Sequence, residues 1–403
     1  MINNSQSPDG MSLDSPSYER QSLFVLLFLG SVFFGNIYGR FTLPLTIILL
    51  PLLVVYLRAV SFNFVFFLPV ISCLSVIAQA VAGYPPQKAD ISVYFGFVYS
   101  TMIMVGLGRA TLDDDRLRLG LIGGGLFIAL VMVLTSASNF SSEIDFYAVK
   151  NLMVTPLGSS NYLAIFILFS FTVALFFSHY LISTVLAVAI FITFSRTGYI
   201  MLALTAIIWF VEMRLRPSAT IRKYTFIVSM SVLAAVWFGL YISYDSLPLS
   251  LANRVELWRD AVGQVLEYPL FGTPRSTYLQ IFHGLAWDPH NSVLNLLILV
   301  GLTGTAVYAC FLFVVIKTFR ELSFDSLIWK AVYYAVIVSL IWSLFEVILL
   351  TPAYDILLAV LFCFARGKKR ELTNQRRTVG ANSDHSSSIS IESMDGGSVR
   401  TQL

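Results

Sequence analysis

Apolar stretches of about 20 residues recur along almost the whole of this 403-residue chain. A helix of that length crosses about 30 Å, which is the thickness of the hydrocarbon core of a bilayer. Hydrophobic residues make up 57% of the chain and charged residues only 12%. A soluble protein of this length has no interior large enough to hide so much apolar surface. The pattern therefore predicts an all-α protein that crosses a membrane many times.

The lengths of these stretches predict about twelve transmembrane helices. They lie near 22–38, 41–57, 62–82, 91–108, 118–136, 161–178, 180–195, 197–213, 224–243, 291–316, 328–349 and 351–365. No small-residue cleavage site follows the first of them, so we interpret it as a retained span and not as a signal peptide. Two spans nearly touch at Ser195-Arg196-Thr197-Gly198.

Lysine and arginine collect on one side of the membrane when these spans alternate in direction. With residues 1–21 placed in the cytoplasm, the outer segments carry only Arg40, Lys88, Lys150, Arg196, Arg254, Arg259 and Arg275. The bias predicts that both termini are cytoplasmic and that 22–366 is the membrane domain. The remaining 367–403 is polar and rich in Ser, Gly and charge, which predicts a disordered cytoplasmic tail.

One long aqueous segment is predicted between spans, the outer loop 243–290. Apolar residues follow helical spacing in its first part, at Leu251, Val255, Trp258, Val262 and Val265. This spacing predicts an amphipathic helix that lies on the membrane surface or over the spans. Pro269, Gly272 and Pro274 end it.

Three residues of the outer segments are candidates for chemistry, and each also has a simpler interpretation. Arg196 stands at the outer end of a span, where it either binds an anion or only snorkels to the headgroups. Arg254 either binds an anion or belongs to the solvated face of the loop helix. His290 is either a general base or a histidine that hydrogen-bonds locally at a helix start.

The sequence gives little support for a metal or a nucleotide. The three cysteines, Cys73, Cys310 and Cys363, all lie in apolar runs, and Glu143 and Asp145 have no further ligand nearby. There is no P-loop pattern. We therefore expect no metal, no cofactor and no nucleic-acid partner.

Four short motifs together resemble the superfamily of O-antigen ligases and polymerases, which are bacterial envelope glycosyltransferases. They occur in the order known for that superfamily and on one predicted side of the membrane. The motifs are Ser195-Arg196-Thr197-Gly198; Arg254 with Leu257-Trp258; Tyr268-Pro269-Leu270-Phe271-Gly272; and His290-Asn291 followed by Gly301-Leu302-Thr303-Gly304. The last pattern is the most similar to the ligases. The resemblance covers roughly 161–318.

The resemblance implies a ligase of the bacterial inner membrane with its active site facing the periplasm. Such enzymes transfer a glycan from undecaprenyl diphosphate to a sugar of lipid A-core, without metal and with inversion. Arg196 and Arg254 would then bind the donor diphosphate, because guanidinium groups bind phosphate oxygens through a planar fork of donors. His290 would deprotonate the acceptor hydroxyl. Arg259 and Arg275 would be supporting residues or rim charges.

Three other functions remain open at this point. An O-antigen or exopolysaccharide polymerase of the same superfamily would use the same donor with a different glycan acceptor. A protein O-oligosaccharyltransferase shares the ligase signature but would be expected to have a further periplasmic domain. A flippase or transporter of lipid-linked glycans would use ionisable residues along a membrane path, for which the candidates are Glu346 and Asp355. Both could instead face the same outer cavity as the other candidates.

Overall fold

A computed structural model describes most of the chain. The described residues are 16–37, 42–57, 67–83, 98–108, 110–139, 160–193, 195–215, 249–273, 280–282, 285–287, 289–349 and 351–392. The helices are α1 (Pro16–Ile37), α2 (Thr42–Leu57), α3 (Phe67–Val81), α4 (98–106), α5 (Asp114–Asn139), α6 (Ser160–Phe176), α7 (Tyr180–Ile192), α8 (Arg196–Phe210), α9 (Leu249–Glu267), α10 (Ser292–Leu322), α11 (Leu327–Trp342) and α12 (Pro352–Glu392). One π-helical turn, Val211–Leu215, continues α8.

Most of the predicted spans coincide with helices where the structure describes them, but the span 328–349 is helical only to Trp342 and ends in the turn 343–349. The span 224–243 lies outside the described residues, and 180–195 and 197–213 are two separate helices, α7 and α8. Three helical stretches of the described chain are long and apolar enough to cross a membrane: Asp114–Leu134, Arg196–Leu215 and Ser292–Leu322. The helical fold class is thus confirmed, whereas the count of about twelve spans stays a prediction.

Helix α6 is the centre of the helix packing. It lies against α5, α7, α8 and α11, and its residues from Leu163 to Phe176 are almost all buried. A helix that is apolar all round is stable only when neighbours or lipid surround it. The outer faces of the peripheral helices expose large apolar side chains, such as Leu181 at 80% and Val81 at 84%. So much exposed apolar surface is typical of a protein that is embedded in lipid.

The loop helix predicted around Leu251–Leu266 is α9, Leu249–Glu267. Its apolar side packs on α10, with Val255 and Trp258 fully buried and Arg259 and Asp260 exposed. The amphipathic pattern is therefore explained by packing over another helix. A two-stranded antiparallel hairpin follows, β1 (Gln280–Phe282) and β2 (Leu285–Trp287), with Ile281 opposite Ala286. The sequence analysis predicted the helix of this loop but not the hairpin.

The C-terminal helix is longer than predicted. The tail was expected to lose structure at Gly367, but α12 continues to Glu392, and only 393–403 lies outside the described residues. Tertiary contacts hold the first turn beyond Gly367: Lys368 pairs with Asp114 of α5, and Lys369 pairs with Glu321 of α10. Composition alone does not reveal these two partners, because they come from distant parts of the chain.

Candidate active site

Three side chains from distant parts of the chain meet at one carboxylate. Arg254 is on α9, His290 precedes α10, and Glu346 is in the turn 343–349 that joins α11 to α12. Nη2 of Arg254 donates a hydrogen bond to Oε1 of Glu346 at 2.9 Å, and Nδ1 of His290 lies 3.2 Å from Oε2. Nη1 of Arg254 also donates to the carbonyl oxygen of Phe345 at 2.6 Å. The structure thus joins two of the predicted residues, Arg254 and His290, through Glu346.

The Glu346 carboxylate is a buried charge. The residue is 6% exposed, whereas the side chains of Arg254 and His290 are 27% and 25% exposed. Burial by itself raises the pKa of Glu346, because it disfavours the charged form. The hydrogen bond with His290 and the positive charge of Arg254 outweigh this effect, so the pKa of Glu346 is below its ordinary value. The site therefore holds a fixed negative charge between two partly exposed groups.

The backbone of His290 is in the left-handed region, with φ of 44°. Few residues other than glycine adopt this conformation, and at a functional site it costs about 1–3 kcal/mol. The neighbouring residue is held by the loop helix, because the buried indole of Trp258 donates from Nε1 to the carbonyl oxygen of Pro289 at 2.8 Å. The Trp258 motif of α9 therefore fixes the entry of the chain into the His290 position.

Asn291 ends the strained segment and starts α10. Its Oδ1 accepts the backbone N–H groups of Val293 at 2.9 Å and Leu294 at 3.1 Å, as an N-cap residue does. Its Nδ2 donates to the carbonyl oxygen of Leu344 at 3.0 Å. One side chain thus caps the helix and holds it to the turn that carries Glu346.

Ser292 makes the second connection to the turn 343–349. Its backbone N–H donates to the carbonyl oxygen of Ser343 at 2.7 Å, and its hydroxyl donates to the carbonyl oxygen of Glu346 at 2.9 Å. The same hydroxyl oxygen accepts the N–H groups of Ile348 and Leu349 at 2.8 and 3.1 Å. Because Ser292 is fully buried, these bonds fix the relative position of His290 and Glu346.

Helix α10 is interrupted at Gly301, where φ is 63° and ψ is −172°. The backbone groups that lose their helical partners there bond to residues 268–273, which we call the clasp loop. The N–H of Thr273 donates to the carbonyl oxygen of Ile298 at 2.6 Å, and the N–H of Leu302 donates to that of Pro269 at 2.8 Å. The third and fourth sequence motifs are therefore two halves of one structure.

Side chains complete this contact. The hydroxyl of Thr303 donates to the carbonyl oxygen of Leu270 at 2.7 Å. Nε2 of Gln79, a 2% exposed residue of α3, donates to the carbonyl oxygens of Leu299 at 2.9 Å and Phe271 at 3.2 Å. Gln79 thus links the first part of the chain to both sides of the clasp.

Two glycines allow the clasp loop and α10 to approach so closely. Gly272 has φ of 73°, and a Cβ atom there would overlap the carbonyl oxygen of Ile298. A Cβ atom on Gly301 would overlap the backbone of Leu270. Since α9 ends directly before the clasp loop, this contact fixes Arg254 relative to His290.

Arg196 is the first residue of α8, and its side chain is exposed. Ser195 caps the helix by accepting the N–H of Gly198 at 3.1 Å, which explains the Ser-x-x-Gly spacing of the motif. The bonds described above at the Glu346 carboxylate come from Arg254 and His290.

Helix α8, which begins at Arg196, packs on α11. Glu212, just past the end of α8, lies within electrostatic range of Tyr333 in the first half of α11.

The two supporting candidates differ in what the structure describes. Arg259 is on the exposed side of α9, and Arg275 lies outside the described residues. Asp355, the other carboxylate considered for a membrane path, is buried and accepts the hydroxyl of Tyr308 at 2.6 Å. Within the described part of the chain, no three His, Cys, Asp or Glu side chains form a group that could hold a metal ion.

Glu346 was noticed in the sequence but was not assigned to the site. Its position could have pointed to the site, because placing an ionisable residue within an apolar stretch costs free energy and such residues are often functional. Gln79 carried no comparable signal. Its two acceptors are 192 and 220 residues away along the chain.

The fold and the site define a helical membrane protein with an arginine and a histidine at one buried carboxylate. Residues 181–309, about a third of the chain, match the family model described as O-antigen ligase. The predicted resemblance to the O-antigen ligase superfamily is thereby confirmed over this segment. Members of that family are glycosyltransferase-like enzymes of O-antigen processing. The segment contains Arg196, Arg254, His290 and Gly301, whereas Glu346 lies beyond it. No curated protein matches the chain significantly.

Proposed function

We propose that the protein is an O-antigen ligase that transfers a glycan from undecaprenyl diphosphate to a sugar of lipid A-core. The observation that carries the proposal is the placement of Arg254 and His290 at one carboxylate, within the segment that matches the ligase family. A cation that can bind the leaving group and a base that can activate the acceptor then lie side by side, which is what glycosyl transfer requires.

Nε2 of His290 takes the proton of the acceptor hydroxyl, and the oxygen attacks the anomeric carbon of the donor glycan. The bond between that carbon and the diphosphate oxygen breaks, and undecaprenyl diphosphate leaves with the electron pair. Attack opposite the leaving group inverts the anomeric configuration. Arg254 and Arg196 stabilise the negative charge that develops on the diphosphate, so the reaction needs no metal.

The proposed topology places this reaction at the periplasmic face of the inner membrane, with both termini in the cytoplasm. The positive-inside bias supports it, because most basic residues then lie in cytoplasmic segments. The donor's lipid tail remains in the bilayer beside the helices, and the acceptor reaches the site from the same leaflet.

Deletion of the gene, followed by gels of the lipopolysaccharide, tests the proposal. A ligase deletion should remove all glycan-capped lipopolysaccharide while polymer accumulates on the lipid carrier. Survival of caps with a single repeat would identify a polymerase. An unchanged surface glycan would contradict both functions.

A matched pair of histidine variants tests the site within the full-length protein. His290→Ala should reproduce the deletion phenotype at normal protein level, because it removes the base. His179→Ala is the control: His179 precedes α7, stacks on Phe177 and takes no part in the site, so glycan capping should persist. Retained capping in His290→Ala would remove the role assigned to His290.

A further inference from the structure

The carboxylate of Glu346 is shared between a permanent donor and a titratable ring. Its Oε1 accepts from Arg254 and its Oε2 faces Nδ1 of His290 at 3.2 Å. An ionised carboxylate only accepts hydrogen bonds, so the ring nitrogen that faces it must carry a proton. In a neutral imidazole the other nitrogen, Nε2, then carries the lone pair.

We propose that Glu346 is a positioning residue that holds His290 in the Nδ1–H tautomer and so makes Nε2 the atom that accepts the proton of the sugar hydroxyl. The inference rests on the proposed function for the identity of that hydroxyl. The assignment of the tautomer rests on the geometry alone. Carboxylates that orient a catalytic imidazole in this way are a recurring device in nucleophilic enzymes.

The surroundings leave the pair little freedom to reorganise. His290 is held from both sides, by the Trp258 bond to Pro289 and by the Asn291 bond to Leu344. The backbone of Glu346 is held by the hydroxyl of Ser292. The ring and the carboxylate are therefore fixed by different bonds to the surrounding backbone, and the geometry of the hydrogen bond between them follows from those bonds.

Arg254 determines which way an amide at position 346 would be oriented, because a guanidinium has donors and no acceptor. In Glu346→Gln, the amide oxygen must stay on Arg254, and the amide NH₂ group then faces Nδ1 of His290. Nδ1 becomes an acceptor, so the proton moves to Nε2. One nearly isosteric substitution should therefore reverse the tautomer and remove the lone pair that the reaction uses.

Nitrogen NMR of the full-length protein, labelled at histidine with ¹⁵N and held in nanodiscs at a pH where the rings are neutral, tests this reversal. The chain has four histidines, and a His290→Gln sample identifies the signals of His290. The wild type should show a protonated Nδ1 and a bare Nε2, and Glu346→Gln should show the opposite. Asp355→Asn, a change at another buried carboxylate, should leave the His290 signals as in the wild type.

Kinetics give the second readout. In Glu346→Gln, transfer should fall by about 10³–10⁴-fold, while binding of undecaprenyl diphosphate stays within about threefold, since Arg254 keeps an acceptor for the same donor. Glu346→Asp retains the negative charge, so it should keep the Nδ1–H tautomer and recover part of the transfer rate. It also serves as the informative variant if Glu346→Gln does not fold.

A wild-type ring protonated at Nε2, or an unchanged tautomer in folded Glu346→Gln, would overturn the assignment. Equal loss of transfer in the Asp and Gln variants would overturn the positioning role. Absence of glycosyl transfer in the wild type would instead contradict the proposed function and with it the part of Glu346 in that reaction. The spectra still decide the tautomer in that case, so the two failures are distinguishable.

Discussion

The two ends of α10 are both polar, yet they are built in opposite ways. Around its first third lie Arg254, His290 and Glu346 and, at the interruption at Gly301, the clasp loop; we call this set the His290 end. At its last turn lie the second set, the Asp114 end, which consists of Asp114, Glu321, Ser326, Lys368 and Lys369. They lie at opposite ends of a helix of 31 residues that is interrupted at Gly301.

The two ends differ in how deeply their polar groups are buried and in whether backbone groups take part in the hydrogen bonds. At the Asp114 end, side chains pair with one another near solvent: Lys369 and Glu321 are 52% and 41% exposed. At the His290 end, carbonyl and N–H groups of an interrupted helix bond to a loop, and the carboxylate is buried. Exposed pairs add little to stability, whereas buried polar groups are costly when a partner is lost. The His290 end should therefore respond strongly to small changes, and the Asp114 end weakly.

The largest effect is expected from Gly301→Ala. The new methyl group overlaps backbone atoms of Leu270, which cannot rotate away, and φ of 63° is strained for alanine. Overpacking and strain together should lower the free energy of unfolding by about 2–5 kcal/mol. Thermal and denaturant unfolding in detergent, followed by intrinsic fluorescence, measures the change.

Gly263→Ala on α9 is the matched control, since nothing lies within 4 Å of its added Cβ. An alanine in an open helical position should be neutral or stabilising by up to about 1 kcal/mol. If Gly301→Ala is as stable as this control, the contact between the clasp loop and α10 is not rigid, and it does not make the His290 end more sensitive than the Asp114 end.

Gln79→Leu should have the next largest effect. The change removes the donor to the buried carbonyl oxygen of Leu299 and to the partly buried carbonyl oxygen of Phe271. An unsatisfied buried acceptor costs about 1–3 kcal/mol, and the loosened clasp loop should become more sensitive to protease. Ile77→Val, at an exposed residue of the same helix, should change neither quantity. Equal protease sensitivity in both variants would show that Gln79 does not hold the clasp.

Much of the His290 end follows from short-range patterns in the sequence. Arg254 and His290 each have a simpler structural interpretation, and they could be singled out because they lie in short motifs that resemble the ligase superfamily. The amphipathic spacing of α9 fixes which face is buried, so the burial of Trp258 was predictable. Helices were predictable because apolar runs of that length form them in lipid.

The remaining features depend on tertiary packing. Gly301 lies in an apolar run that predicts a continuous span, and its backbone conformation exists only because the clasp loop supplies the missing hydrogen-bond partners. Glu346 is 56 residues from His290, so its partner depends on how the end of α11 lies beside the start of α10. The continuation of α12 past Gly367 was missed for the same reason, since Lys368 and Lys369 find their partners on other helices.

Acidification should separate wild type from Glu346→Gln. The pKa of Glu346 is lower in the folded protein than its ordinary value. Its charge therefore stabilises the fold fully above the unfolded pKa of about 4.3, and this contribution is lost as the pH falls through the lower, folded pKa. The stability difference between the two proteins should be constant near neutral pH and should shrink in acid. A difference that grows in acid would mean that burial dominates and that the pKa is raised.

The smallest effect is expected from Lys369→Ala at the Asp114 end. The variant breaks the pair with Glu321, but both side chains are largely exposed, and surface pairs contribute only about 0–1 kcal/mol. The loss should disappear in about 1 M salt, where charges are screened beyond about 3 Å. Arg254→Ala, measured in the same series, should cost more and should be nearly independent of salt, because it leaves Glu346 buried beside one fewer partner. A salt-insensitive loss of about 2 kcal/mol or more in Lys369→Ala would show that the Asp114 end is also a buried, specifically built site.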